Sequence, residues 1–285
     1  EIDAALAELD RREREINEGL LRSRITLLES GIGQDVLRRN ADAVANRIEA
    51  ISALMFPGER TSWSSEFLAR TNAFLEEGKS QALNFPLEVA AVLAHRMLAE
   101  AQAVSETGYA NKLLGDALRA LGRREFGIQR LEQSAAAYDA ALKAYSHEDT
   151  SEEWVFALYS ATDVLHQWGM RAEGTATLER AVSAAKSVLE FRRIQGDPLN
   201  LGSALCNVGA TLQSLGERKD DPALIEGAVA AYYEALDHLS RGETPAEWAL
   251  THRNLGTLLH FLGKRESGTE KLWESVNKCL EALEE

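Results

Sequence analysis

An all-α chain, built as an α-solenoid of helical hairpins behind an N-terminal helical extension, is the fold class this sequence predicts. Three observations predict it. One skeleton appears four times, as NKLLGDALRALGRREFG (111–127), LYSATDVLHQWGMRAEG (158–174), LCNVGATLQSLGERKDD (205–221) and HRNLGTLLHFLGKRESG (252–268), each copy 47 residues from the next. A period of roughly 20–50 residues marks proteins made of stacked repeats. Within each copy apolar residues return every three or four positions, as Leu255, Leu258, Leu259 and Leu262 do, which is one stripe of a helix. Every copy then reaches a glycine in one column, Gly122, Gly169, Gly216 and Gly263. Glycine enters the left-handed region at no steric cost and closes helix ends there, so the first helix of each unit is expected to stop at that column.

Taken in order, residues 1–60 read as the helical extension. Ile2, Leu9 and Ile16 stand at heptad spacing, followed by Leu20, Leu27 and Leu28. The glycine pair in SGIG (30–33) is expected to break this helix before DVLRRNADAVANRIEAISAL begins a second. FPGERTSWSS (56–65) is a connector that closes on a serine N-cap. The solenoid occupies 61–285. Its first unit, 61–103, is faint and aligns at a spacing of 44 through FLEEG (74–78) and LEVAAVLAHRMLAEAQ (87–102). Units 104–150, 151–197, 198–244 and 245–285 follow. Each carries a second apolar stripe: Ile225, Ala228, Val229, Tyr232, Ala235 and Leu236 have counterparts one period back in Leu178, Ala181, Val182, Ala185, Val188 and Leu189. One period on, the stripe is Leu272, Ser275, Val276, Cys279, Ala282 and Leu283. Two stripes per unit make a hairpin, and Pro198 and Pro245 open units where the first helical turn tolerates proline.

Composition narrows the function. A net charge of −14 argues against a nucleic-acid backbone as partner, which needs a dense Lys/Arg footprint, and favours basic partners through long-range steering. No apolar run approaches the roughly 18 residues of a membrane helix. No basic-then-apolar leader opens the chain, and the start at Glu1 rather than methionine reads as a piece of something longer or a trimmed product. Two cysteines, Cys206 and Cys279, make neither a disulfide framework nor a zinc knuckle, so a cytoplasmic setting is expected. HExxH, GxSxG, phosphate-cradling glycine loops and paired Cys–His spacings are all missing, so no enzyme activity, cofactor or metal is expected. The histidines, His95, His147, His166, His238, His252 and His260, read as ordinary polar surface, although His166 shares a column with His260 and His252 lies eight residues before it.

The units resemble tetratricopeptide repeats (TPR), in particular long-period bacterial ones. Leu114-Gly115 with Leu118, Val208-Gly209 with Leu212, and Leu255-Gly256 with Leu259 match the first-helix signature. Ser134, Tyr138, Ala141 and Ala228, Tyr232, Ala235 match the small–aromatic–small pattern of the second helix. Unit 151–197 departs, with Ala161-Thr162 in the Leu-Gly place, and the period of 47 exceeds the usual ~34, so helices or turns are longer. The resemblance implies a right-handed solenoid whose first helices line a concave, peptide-binding groove. By column, that groove takes Lys112, Asp116 and Arg119; Tyr159, Ser160, Asp163 and His166; Asn207 and Gln213; and Arg253, Asn254, Thr257 and His260. Asn207 and Asn254 stand where the family uses asparagine to hold a peptide backbone, since an amide both donates and accepts; both also suit a plain helix surface. Lys112 and Arg253 lie too many repeats apart to complete a two-carboxylate clamp. The function implied is a non-enzymatic protein- or peptide-binding scaffold. The alternatives are a peptide-sensing regulatory module coupled to the N-terminal helices, or a self-assembly module pairing chains through those helices or the C-terminal end.

Four finer expectations follow from the columns. Gly115, Gly209 and Gly256 sit mid-helix at a cost of about 1 kcal/mol each, offset by close approach of the partner helix. Arg124, Arg171, Arg218 and Arg265, two residues after each column glycine, either form a basic ridge for an acidic partner or serve structure. The structural role is to bind carbonyls at the end of the first helix or to pair with Glu132, Glu179 and Glu226. Arg253, Asn254, Thr257 and His260 are expected on the face opposite their hairpin partner. Finally, Asn277, Lys278 and Glu281 replace Ala230, Ala231 and Glu234 of the preceding unit, which would cap the array, with Trp273 in place of Glu226 as the exception.

Overall fold

A computed structural model describes residues 2–145, 152–264 and 269–283, and every regular element among them is helical. The chain divides into two units, Glu1–Arg124 and Glu125–Glu285. The first holds α1 (Ile2–Leu37), α2 (Ala41–Met55), a short 3-10 turn (Thr61–Trp63), α3 (Ser65–Ser80), α4 (Asn84–Glu100) and α5 (Val104–Arg124). The second holds α6 (Gln129–Ala144), α7 (Glu152–Arg171), α8 (Ala176–Gln195), α9 (Pro198–Lys219), α10 (Pro222–Leu236), α11 (Pro245–Gly263) and α12 (Glu270–Leu283). No described helix is long and apolar enough to cross a membrane.

In the first unit the expected break at the glycine pair does not occur. α1 runs through Gly31 and Gly33 and ends only where Arg39 turns left-handed (φ 53°) before the Asn40 cap, whose side chain accepts from Ala43 N. The reason is packing. A side chain at Gly31 would collide with the Arg47 guanidinium, which crosses from α2 to the buried Asp35 carboxylate at 2.5 Å. That contact outweighs glycine's weak helix propensity. Ser64 caps α3 as its sequence position implies, accepting from Phe67 N at 3.3 Å. Glu106 ties down the start of α5, accepting from the amides of Gln102 (2.8 Å) and Ala103 (3.2 Å) and pairing with Arg60. Arg60 and these amides hold its carboxyl down to about 2.

In the second unit each helix packs on its neighbours in the chain, and α9 also touches both α7 and α11. One apolar core runs through it, from Val155 and Leu158 on α7 to Leu258 and Leu262 on α11. Proline opens α9, α10 and α11, and Asp197 and Asp221 cap the first two of these.

The column glycines do not end helices in the way expected. Gly169 and Gly216 lie inside α7 and α9, Gly263 is the last residue of α11, and the left-handed residues are instead Gly174, Gly196 and Asp220. Gly169, Gly216 and Gly263 each make room for a branched side chain nine residues later. A Cβ on Gly169 would meet Leu178 at 2.6 Å, on Gly216 Ile225 at 2.8 Å, and on Gly263 Leu272 at 2.9 Å. The same pair recurs in the first unit, where a Cβ on Gly78 would meet Leu87 at 2.5 Å. Crowding at the hairpin bend, not backbone freedom, selects glycine there. The mid-helix glycines do meet close partners: Gly209 lies under the Tyr232 ring (2.7 Å to an added Cβ), and Gly256 under Cys279 Sγ (2.7 Å).

The recurring arginine binds carbonyls, but those of the preceding hairpin. Arg171 donates to Glu125 O (2.7 Å) and Gly127 O (3.1 Å), and Arg218 to Ala172 O (2.8 Å) and Gly174 O (2.9 Å). Arg218 also reaches Gly169 O at 3.3 Å, and Arg124 reaches Gly78 O at 2.8 Å and Leu83 O at 2.9 Å. Glu179 is held by Lys219 at 2.7 Å. Arg265 and His147 lie outside the described residues.

Candidate functional site

The contacts of α9 with α7 and α11 place three first helices of the second unit side by side. On α7, Phe156, Tyr159, Asp163 and His166 follow one another at three- and four-residue steps, hence on one face. Phe156 and Tyr159 are 57% and 39% exposed. They line a cleft of about 130 Å³ with Val188, Arg192, Asn200 and Ser203. Arg192 is itself buried and anchored to Glu152 at 3.2 Å and Gln195 at 2.5 Å. Two exposed aromatics beside a braced guanidinium can take a planar or extended apolar group and a carbonyl or carboxylate together. Phe156 had no column argument in the sequence; only its helical spacing from Tyr159 could have shown it.

Several expected groove residues are engaged within the protein. His166 Nε2 lies 2.7 Å from Ser214 Oγ, joining α7 to α9, and burial pushes its pKa down. Asp163 accepts from Gln167 at 2.8 Å. Tyr232, buried on α10, donates to Gln213 Oε1 at 3.4 Å and accepts from Asn254 Nδ2 at 3.3 Å. Gln213 and Asn254 are thus brought together through a ring that the sequence placed in the core. Cys206 and Thr251 add a contact of 3.0 Å between α9 and α11, and burial pushes the Cys206 thiol up. The contacts between first helices close over 48 and 45 residues, one period give or take two, and that offset was the only sign of them in the sequence.

The last first helix corrects two expectations. Arg253 does not face away from its hairpin partner: it lines a cleft with Ala246, Ala249 and Leu250 of α11 and Cys279, Ala282 and Leu283 of α12. His252 is not surface. It is 4% exposed, with its ring 4.2 Å from that of Trp248. Its Nδ1 is 2.7 Å from Glu281 Oε2 without hydrogen-bond geometry, and burial lowers its pKa despite that carboxylate. Thr257 and His260 are exposed, Thr257 donating to Arg253 O, and Asn207 is half-buried. Ser160 is half-buried on α7. Lys112, Asp116 and Arg119 belong to the first unit, where buried Asp116 pairs with Lys112 at 3.2 Å and Arg119 at 3.7 Å. No described group of three or more His, Cys, Asp and Glu side chains is placed to hold a metal ion.

No protein-family model and no curated protein matches the chain. Among solved structures, the crystal structure of BtubC (BKLC) from P. vanneervenii aligns over 92% of this chain and 91% of its own, with TM-score 0.50 and 18% identity. The DHF119 filament aligns over 80% of this chain and 96% of its own at TM-score 0.26 and 17% identity. The first is a likeness of all-helical fold; the second is too distant to carry an argument.

Proposed function

We propose that this chain is a non-enzymatic, protein- or peptide-binding scaffold of tetratricopeptide type, with its hairpins wound as a right-handed solenoid and its first helices forming the docking face. The observation that carries this reading is the row α7–α9–α11, fastened side by side by part-buried polar contacts yet exposing Phe156, Tyr159, Thr257 and His260. The arginine bonds between successive hairpins support it, because Arg171 and Arg218 give the α7–α8 and α9–α10 hairpins the same seat on the turn before. Aromatic side chains at the α7 end are the residue type that dominates binding energy in interfaces. The partner best suited is a basic, extended segment, given the net charge of −14. A cytoplasmic setting belongs to the same reading.

Panning a displayed library of random peptides against the whole chain tests it. Binders should be enriched in Lys and Arg. Their affinity should fall by about tenfold or more, roughly 1.4 kcal/mol, in Phe156→Ala/Tyr159→Ala measured by titration calorimetry. Peptides that bind that variant as well as wild type would place the docking surface elsewhere.

A further inference from the structure

α1 carries two apolar stripes on different faces. Ile25 and Leu28, half-buried, with buried Ile32 and Asp35, form the stripe that meets the rest of its unit. The other is formed by Ile16, Leu20 and Leu27, exposed by 63%, 65% and 72%, roughly a third of a turn away around the helix. Every residue from 11 to 20 is exposed. A helix of this kind, without tertiary cover, is marginal in water. The exposed stripe continues the heptad spacing of the sequence, with steps of four and seven that bring a seam onto one side of a coiled coil.

We propose that this seam pairs α1 antiparallel with α1 of a second copy of the chain. The seam is complementary to itself in one orientation only. With the chains antiparallel and Ile16 opposite Leu20, Glu13 falls opposite Ser23. Beside the seam, Gly19 meets Gly19 at the dyad. A side chain at Gly19 would meet nothing within 4 Å in the single chain, so the helices can approach closely there. A parallel pair would instead set Glu13 against Glu13 in the seam, burying two like charges without a partner. Apolar layers meet apolar layers and polar meets polar only antiparallel, as a closed two-fold contact requires. This is independent of the peptide-binding reading, since it uses neither α7 nor α9.

Light scattering of the whole chain reads the result. A mass twice the 31.3 kDa of one chain is expected, falling to one chain in Leu20→Asp, which should still unfold cooperatively in urea. Orientation is read by disulfide formation in a Cys206→Ser/Cys279→Ser background. Gly19→Cys should link to itself, whereas Leu27→Cys alone should not, because the two copies of that position lie roughly 27 Å apart along an antiparallel pair. A monomeric wild type, or a dimer indifferent to Leu20→Asp, overturns the pairing. Rapid self-linking of Leu27→Cys overturns its orientation.

Discussion

At the scale of single residues, this protein sets small against large, column by column. Where a first helix has glycine, a side chain of the second helix fills the space: the large Tyr232 lies over Gly209 and Cys279 over Gly256. In the hairpin of α7 and α8 the first column holds Thr162, and the opposite column holds Ala185; both are buried, at 2% and 1% exposure. Thr162 in the glycine column is therefore a swap of volume between two facing columns, which a densely packed core permits. The swap predicts coupling. Ala185→Tyr alone should cost about 1–3 kcal/mol by overpacking. Combined with Thr162→Gly, the total should fall short of the two separate costs by about 1 kcal/mol or more, within the range typical of contacting pairs. Urea midpoints for the four proteins decide this, and simple additivity would mean the two columns do not share space. Most of this was legible in the sequence, because glycine at a fixed period has few uses inside a helix. Which atom fills the space was not: Tyr232 reads as a core ring, yet its hydroxyl links Gln213 to Asn254.

At the scale of elements, the hairpins are joined by a backbone-directed device. Arg171 and Arg218 each span the same two carbonyl positions in the turn before them, 46 and 44 residues back. Those carbonyls belong to helix ends and turns, which have no partners within a helix, so the guanidinium completes what the backbone leaves open. Both arginines remain exposed, which allows water to substitute in part. Arg218→Ala should therefore cost about 1.5 kcal/mol, the low end for bonds to a charged group. Arg218→Lys should recover little of it, since an ammonium lacks the planar fork that reaches two acceptors at once. Full recovery by lysine, seen in a denaturation midpoint equal to wild type, would show that charge and not geometry matters. The arginine column was plain in the sequence, with carbonyls as one of its expected partners. Its reach into the previous hairpin was not, because periodicity says which residues are equivalent but not which neighbour each one meets.

At the scale of the whole molecule, burial thins towards the C-terminal end. Ser275 is the only buried residue of α12 among the described residues, and Trp273, Leu280 and Leu283 are exposed by 68%, 56% and 79%. Asn277 is exposed as a cap requires, and Lys278 pairs with Glu281 at 3.1 Å, but those apolar side chains mean that polarity alone does not close the array. The terminal hairpin should be the first part of the second unit to open, and acid should speed it. His252 is buried neutral between α11 and α12, with desolvation lowering its pKa below 6.5 against the opposing pull of Glu281 and with Lys278 adding to the shift. A histidine whose folded pKa is depressed contributes fully above its unfolded value, and that contribution is lost as pH falls through the folded one. Hydrogen exchange should show less protection in α12 than in α10 at neutral pH. The urea midpoint should fall as pH drops below about 6.5, and the fall should be smaller in His252→Asn. An equal acid response in that variant would place the sensitivity in other groups, with buried His166 the next to examine.

The sequence alone determined the all-helical class, the prolines that open α9 and α11, and the equivalence of columns. These are local matters: a turn of helix, a cap and a heptad are each complete within a few residues. The tertiary structure decided what the chain could not state locally. It carried α1 through Gly31 because Arg47 crosses there, and it buried His252 against Trp248. It turned Arg253 towards its own partner helix, and it engaged Asn254 and His166 in bonds between helices, leaving Phe156 and Tyr159 as the exposed aromatic face. Each of those outcomes depends on which side chain arrives from a helix tens of residues away. Periodicity places that helix, but only packing selects the atom that touches.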